Sequence, residues 1–168
     1  MRMIMMMAGA ALAASMAVPA VAKPAMQTPT AAQFVAKAGA SDMFERREAK
    51  MMMTSSNSDV RNFAQRMMTD HTKSTEMVKA AAKADGMNPA PPTLNPMQKR
   101  DIDALAAAKG TARDRLYLQQ QMPAHQKALA LMRSYAHSGK SMHLKQAAAK
   151  IAPVVESHID MLQKMPKM

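Results

Sequence analysis

Four residues in this chain have side chains that bind metals or move protons, and they occupy positions where a helix would normally present leucine. In the stretch MMTDHTKSTEM, His71 falls on the apolar stripe Val60, Phe63, Ala64, Met67, His71, Ser74, Val78, Ala81. Glu45 interrupts a stripe of Phe34, Ala38, Ser41, Ala49 and Met52. His125 interrupts Asp114, Leu118, Met122, Leu129, Met132, Ala136, and His158 interrupts Ala147, Ile151, Val154, Met161, Met165. One histidine on an apolar face is usually a hydrogen-bonded core residue. One polar residue on each of four stripes is a stronger signal. Imidazole and carboxylate together are the donor set for Fe, Mn, Zn or Cu, and helical bundles build such sites from facing helices.

The heights of the four residues agree. If the first hairpin turns near residue 56, antiparallel partners sum to about 113, and Glu45 faces a position three residues from His71, less than one turn at ~1.5 Å per residue. If the second turns near Gly139, His125 faces a position about one turn from His158. Asp70, beside His71, either joins the cluster or orients an imidazole from outside it. A di-iron centre needs Glu-x-x-His twice. Here Met68 and Val155 stand three residues before His71 and His158, so that motif is missing. Methionine offers a second donor type. Met67, Met122 and Met161 each lie three or four residues from a stripe histidine, and thioether with imidazole suits Cu(I). The competing explanation is that methionine is the adaptable filler of bundle cores. The metal-free alternative for the four polar residues is a hydrogen-bonded plug that fixes helix register.

The elements that position these residues are helical. Alanine, lysine, glutamine and methionine are abundant, and no β-branched run alternates with period two. The patterns predict helices over about 30–55, 59–84, 96–109, 112–137 and 142–164. SSNSD supplies a turn and an N-cap, Gly86 a C-terminal stop, Gly110 a break and Thr111 a cap. Pro153 should kink the last helix. Four long helices, with a short one in the long connection between the second and third, predict an all-α, ferritin-like four-helix bundle. A simple up-down-up-down bundle is the rival. His137 and His143 are given no role, and a local hydrogen bond is expected between Asp114 and Tyr117.

The N-terminus carries one cation, Arg2, an uncharged apolar run and the small residues AVA at 20–22. This is the layout of a secretory signal peptide. Residues 1–22 are expected to be cleaved, residues 23–29 to form a disordered lead and residues 30–166 to form the bundle. An uncleaved N-terminal anchor is the alternative, and no transmembrane segment is expected in the mature chain. There is no cysteine, which excludes disulfides, thiolate metal sites and cysteine nucleophiles. Six of the 22 methionines lie in the first 22 residues, so the mature chain stays methionine-rich. The net charge is +11. With no tryptophan and 3% aromatic residues in an exported chain, it points away from nucleic acid and toward anionic envelope surfaces. A solvated basic surface without a partner explains it equally well. No phosphate loop, nucleophile triad or H-E-x-x-H appears.

The segments FVAKAGASDMFERREAK, SSNSDVRNFAQRMMTDHTKSTEMVKAAA, RDRLYLQQQMPAHQKALALM and PVVESHIDML resemble a family of exported bacterial proteins. That family is described as a ferritin-like domain of unknown function, and its members are often labelled outer-membrane or periplasmic proteins. Its recurring residues fall on Glu45, Asp70, His71, Asp114, Tyr117, His125 and His158. Many of its members carry Asp where this chain has Ala124. The resemblance implies a ferritin-like bundle of the periplasm or outer membrane, and no particular reaction. Three classes of function follow. The first is a binding or stress-protection protein that holds a metal at Glu45, His71, His125 and His158. The second is a non-catalytic cationic envelope protein with a metal-free cluster. The third is an oxidase- or peroxidase-like metal enzyme.

Overall fold

A computed structural model describes residues 28–165, so residues 1–22 and most of the lead lie outside it. Five helices follow in order: α1 (Ala31–Met52), α2 (Ser58–Ala84), α3 (Pro96–Ala107), α4 (Gly110–Ser138) and α5 (Met142–Lys164). No strand occurs among the described residues.

The helix ends have local causes. Thr30 and Gln33 form a capping box on α1, and Asn95 and Gln98 form another on α3, where Pro96 fills the first turn. Asn57 caps α2 and Ser141 caps α5 through side-chain oxygens. Gly86, at φ 71°, closes α2 in a Schellman motif, with Met87 N–H on the Ala82 carbonyl and Gly86 N–H on that of Lys83. The start of α4 differs from expectation. Gly110 does not break the chain between helices; it is the first residue of α4, with Lys109 as an N-cap that offers no side-chain bond. Both α4 and α5 run on as continuous helix through an internal proline, Pro123 and Pro153.

α1 pairs with α2 and α4 with α5 in two antiparallel hairpins. α2 also packs on α5 and α1 on α4. Tyr135, near the end of α4, stacks on Phe34 at the start of α1 with ring centroids 4.0 Å apart. At the opposite end, Ser55 after α1 donates to Asp114 at the start of α4 (2.7 Å). α1 and α4 are therefore antiparallel, α2 and α4 lie parallel across the diagonal, and the connection between them travels the length of the bundle. This is the ferritin-like arrangement, and the up-down-up-down order is excluded. The connection packs closely: a Cβ at Gly39 would come within 3.0 Å of Pro92, and Gln98 donates to the Ala40 carbonyl (3.3 Å).

Two apolar clusters fill the interior. One, around Phe34, Tyr135, Leu144 and Ile151, lies toward the α4–α5 turn. The other, around Met52, Phe63, Met67, Leu105 and Tyr117, lies toward the α1–α2 turn. Between them sits a layer of buried polar side chains: Asp42, Glu45, Glu48, His71, Ser74, Gln121, His125 and His158.

The α2 face is the stripe read from the sequence, every member buried. On α1 every stripe residue except Ser41 is buried as well, whereas the faces of α4 and α5 are rotated by about one residue. α4 buries Tyr117, Gln121, Ala128 and Tyr135, leaving Leu118, Met122, Leu129 and Ala136 half-buried. α5 buries Val155 and Leu162, whereas Val154 is 37% exposed. Asp114 bonds Ser55 rather than Tyr117, and the Tyr117 hydroxyl has no hydrogen-bond partner.

Candidate metal centre

The mid-level residues converge as their spacing predicts. α1 supplies Glu45, α2 His71, α4 His125 and α5 His158, all at most 3% exposed. The three imidazole centroids form a nearly regular triangle of 5.3, 5.3 and 5.7 Å. One ligand atom from each of the three histidines lies within 4.8 Å of the others. Asp42, Glu45 and His71 form a second group of the same kind, so the two groups share His71. Glu45 Oε2 stands 2.8 Å from His71 Nε2.

His125 and His158 are each engaged on one side and open on the other, and His71 is held on both. His71 Nδ1 donates to Asp42 Oδ1 (2.9 Å), and Thr75 donates to the other oxygen of that carboxylate (2.9 Å). His125 Nδ1 donates to the Gln121 carbonyl one turn earlier (2.9 Å). His158 Nε2 donates to Asp70 Oδ2 (3.1 Å), whose carboxylate also holds Arg66 Nε at 2.6 Å. Of the remaining nitrogens, His125 Nε2 and His158 Nδ1 are buried without hydrogen-bond partners, whereas His71 Nε2 faces Glu45 Oε2 at 2.8 Å. Histidines that ligate metals show this pattern, one ring nitrogen held by an outer acceptor that fixes the tautomer and the other presented to the ion. Asp70 is thus an outer partner of His158, from a different helix, and not a member of the cluster beside His71.

The charges are set by burial and by the neighbours. Burial alone would push His71 down, but the Glu45 and Asp42 carboxylates outweigh it and hold the imidazole up at about 10. Burial would raise Glu45, and the adjacent His71 and His125 instead bring it to about 2. Burial pushes His125 down, and burial together with the His71 charge pushes His158 down to about 4. Asp70, which burial would raise, is held low by its hydrogen bonds from His158 and Arg66.

Met67 is buried in the apolar cluster below the imidazoles, and Met122 and Met161 pack half-buried against that cluster. Two acids of the polar layer are absent from the sequence-derived set. Asp42 and Glu48 flank Glu45 at three-residue spacing, so three acids share one face of α1. That repeat was the available signal. Glu48 accepts from Gln121 Nε2 (2.8 Å), and its burial pushes it up to about 8. A group whose folded value is raised above 4.5 is ionised in the unfolded chain first, so it costs stability increasingly from pH 4.5 to 8. Glu48→Gln keeps the acceptor for Gln121 and is expected to stabilise the fold at pH 8 by about 1–3 kcal/mol, and much less at pH 4.5. Denaturant melts at the two pH values check this. Outside the layer, His143, left without a role, bonds Asp85 (2.7 Å) and ties the start of α5 to the end of α2.

The chain belongs to the family described as Domain of unknown function (DUF4142), whose model matches residues 16–165. Three solved structures share the fold. CopM in the Cu(II)-bound form is 16% identical with a TM-score of 0.69, covering 82% of this chain and 96% of that one. CopM in the Cu(I)-bound form is 18% identical with a TM-score of 0.68, covering 80% and 94%. A DUF305 fragment from Deinococcus radiodurans is 19% identical with a TM-score of 0.67, covering 81% and 94%. No curated protein matches. No helix of the described residues is long and apolar enough to cross a membrane.

Proposed function

We propose that this DUF4142 protein is an exported, periplasmic or outer-membrane-associated bundle that holds one transition-metal ion at Glu45, His71, His125 and His158, in an envelope or stress-protection role. The observation that carries the reading is the meeting of Glu45 Oε2, His71 Nε2, His125 Nε2 and His158 Nδ1 in one buried layer, where the last two have no hydrogen-bond partner. Leaving a buried polar atom unpaired costs about 1–3 kcal/mol, so two imidazole nitrogens left so beside the His71–Glu45 pair call for a shared partner. A tetrahedral ion with bonds of ~2.1 Å holds its ligand atoms about 3.4 Å apart, and the three histidines already bring one nitrogen each within 4.8 Å of the others. Three imidazoles and a carboxylate suit Fe, Mn, Zn or Cu. The copper-bound forms in which CopM is solved make copper the first ion to test. An entering ion displaces the His71 Nε2 proton, so binding releases a proton and weakens as pH falls.

One observation favours a second reading. Asp42, His71 and Glu45 form a buried ion triad that is satisfied without a metal. In that case the layer fixes helix register, and the basic surface, +10 once Arg2 is removed, carries any function at anionic envelope surfaces. Metal analysis of protein taken from the periplasm without chelators separates the two. One ion per chain, on a species whose intact mass lacks residues 1–22, is expected. Protein that neither retains metal nor binds Cu(II), Zn(II) or Co(II) in titration removes the metal reading, and an intact mass that includes residues 1–22 removes the export reading.

A further inference from the structure

Below the imidazole layer, α2 and α5 leave a surface depression of about 430 Å³. Met161 on α5 and Met165, the residue that caps it, line it, with Phe63, Asp59, Arg66 and Lys164 around them. Met161 and Met165 follow His158 at the third and seventh positions, so the three residues lie within a narrow arc of the helix, about 4.5 and 10.5 Å along its axis. Exposure rises along that line, from His158 at 0% to the two half-exposed methionines. Phe63, 3% exposed, forms the shared wall. Its ring lies 6.4 Å from both His125 and His158, so a single aromatic ring separates the depression from the cluster.

The depression offers unusual donors for a cation. Two thioethers are neutral at every pH and prefer soft ions, while Asp59 is the one carboxylate in the lining. Arg66 and Lys164 repel cations in proportion to their charge, which penalises divalent ions twice as much as monovalent ones. Soft and monovalent together describe Cu(I). We propose that Met161 and Met165 form an entry subsite for Cu(I), from which the ion passes Phe63 to the histidine cluster. The transfer step rests on the metal reading of that cluster; the subsite does not.

Ag(I), a redox-inert probe for Cu(I), tests the subsite on wild-type protein carrying 13C-methyl methionine. Substoichiometric Ag(I) is expected to shift the methyl signals of Met161 and Met165, and to do so equally in the His125→Leu/His158→Leu variant. In Met161→Leu/Met165→Leu, uptake of Cu(I) from a chelator should slow by about tenfold or more, while Co(II) at the cluster binds with unchanged affinity. Unmoved methyl signals, or Cu(I) uptake at the wild-type rate, would show the two methionines to be core filler and overturn the subsite. Failure of wild-type protein to bind Co(II) counts against the cluster instead, and the methyl shifts still decide the subsite.

Discussion

Replacing His125 and His158 together by leucine is expected to abolish metal binding and to make the metal-free protein more stable. Loss of one outer hydrogen-bond partner already weakens a metal site by about 10–100-fold, so removing two of four ligands takes binding below detection at micromolar protein. Leucine fills a comparable volume, and the change removes two buried nitrogens that lack hydrogen-bond partners, His125 Nε2 and His158 Nδ1. Asp70 keeps Arg66, so no carboxylate is stranded. The metal-free gain should be about 1–3 kcal/mol at neutral pH. It should grow on acidification. His158 stands at about 4 in the folded protein against 6.5 in the unfolded chain, so the unfolded chain takes up its proton first and wild type loses stability as pH falls from 6.5 to 4. The variant lacks that loss. Titration with Cu(II) and Co(II), beside denaturant melts in the presence of a chelator, gives both readouts. A variant that binds as wild type does places the site elsewhere.

Much of this centre was legible because α2 obeys simple periodicity. Its stripe alternates by three and four without a break, so His71 stands out as the one imidazole among apolar residues. The connection from 85 to 95 together with α3 is long enough to run the length of the bundle, which is what the ferritin-like order requires. α1 was harder to read, because its core face carries Asp42, Glu45 and Glu48, and a face that buries charge looks like a solvated one to any hydrophobicity pattern. The partners on other helices, His71 for Asp42 and Gln121 for Glu48, reveal these two acids beside the Glu45 stripe as interior. α4 misled for a related reason. Its inward positions are Tyr117, Gln121 and Ala128, while larger apolar residues, Leu118, Met122 and Leu129, flank them half-buried. The most apolar line on that helix is therefore not the most buried one. Which imidazole Asp70 orients was invisible in one dimension, since His158 lies 88 residues away on α5.

His71→Leu alone should have the opposite effect on the metal-free protein and cost about 3–5 kcal/mol at neutral pH. His71 is the cation between two buried carboxylates, 2.8 Å from Glu45 and 2.9 Å from Asp42. Taking it away leaves Glu45 with the Ser41 hydroxyl (3.2 Å) and Asp42 with Thr75 (2.9 Å), neither of them charged. The pH dependence identifies the cause. In wild type, Glu45 is lowered to about 2 from 4.5, so its contribution is present above pH 4.5 and is lost as pH falls toward 2. His71 is raised to about 10 from 6.5, so its contribution is full below pH 6.5 and is lost as pH rises toward 10. The triad is strongest between pH 4.5 and 6.5. In His71→Leu the loss between 6.5 and 10 should disappear. The acid limb should invert, because burial without a cation raises Glu45 and protonation then relieves it. Glu48 contributes its own loss between 4.5 and 8, so the comparison is made in a Glu48→Gln background. Adding Glu45→Gln to His71→Leu should recover most of the lost stability, since a neutral amide removes the stranded charge. An unchanged melt in His71→Leu would mean that the triad carries no charge in the folded protein. The four ligand atoms would then meet as neutral groups, and an entering ion would displace no proton from His71.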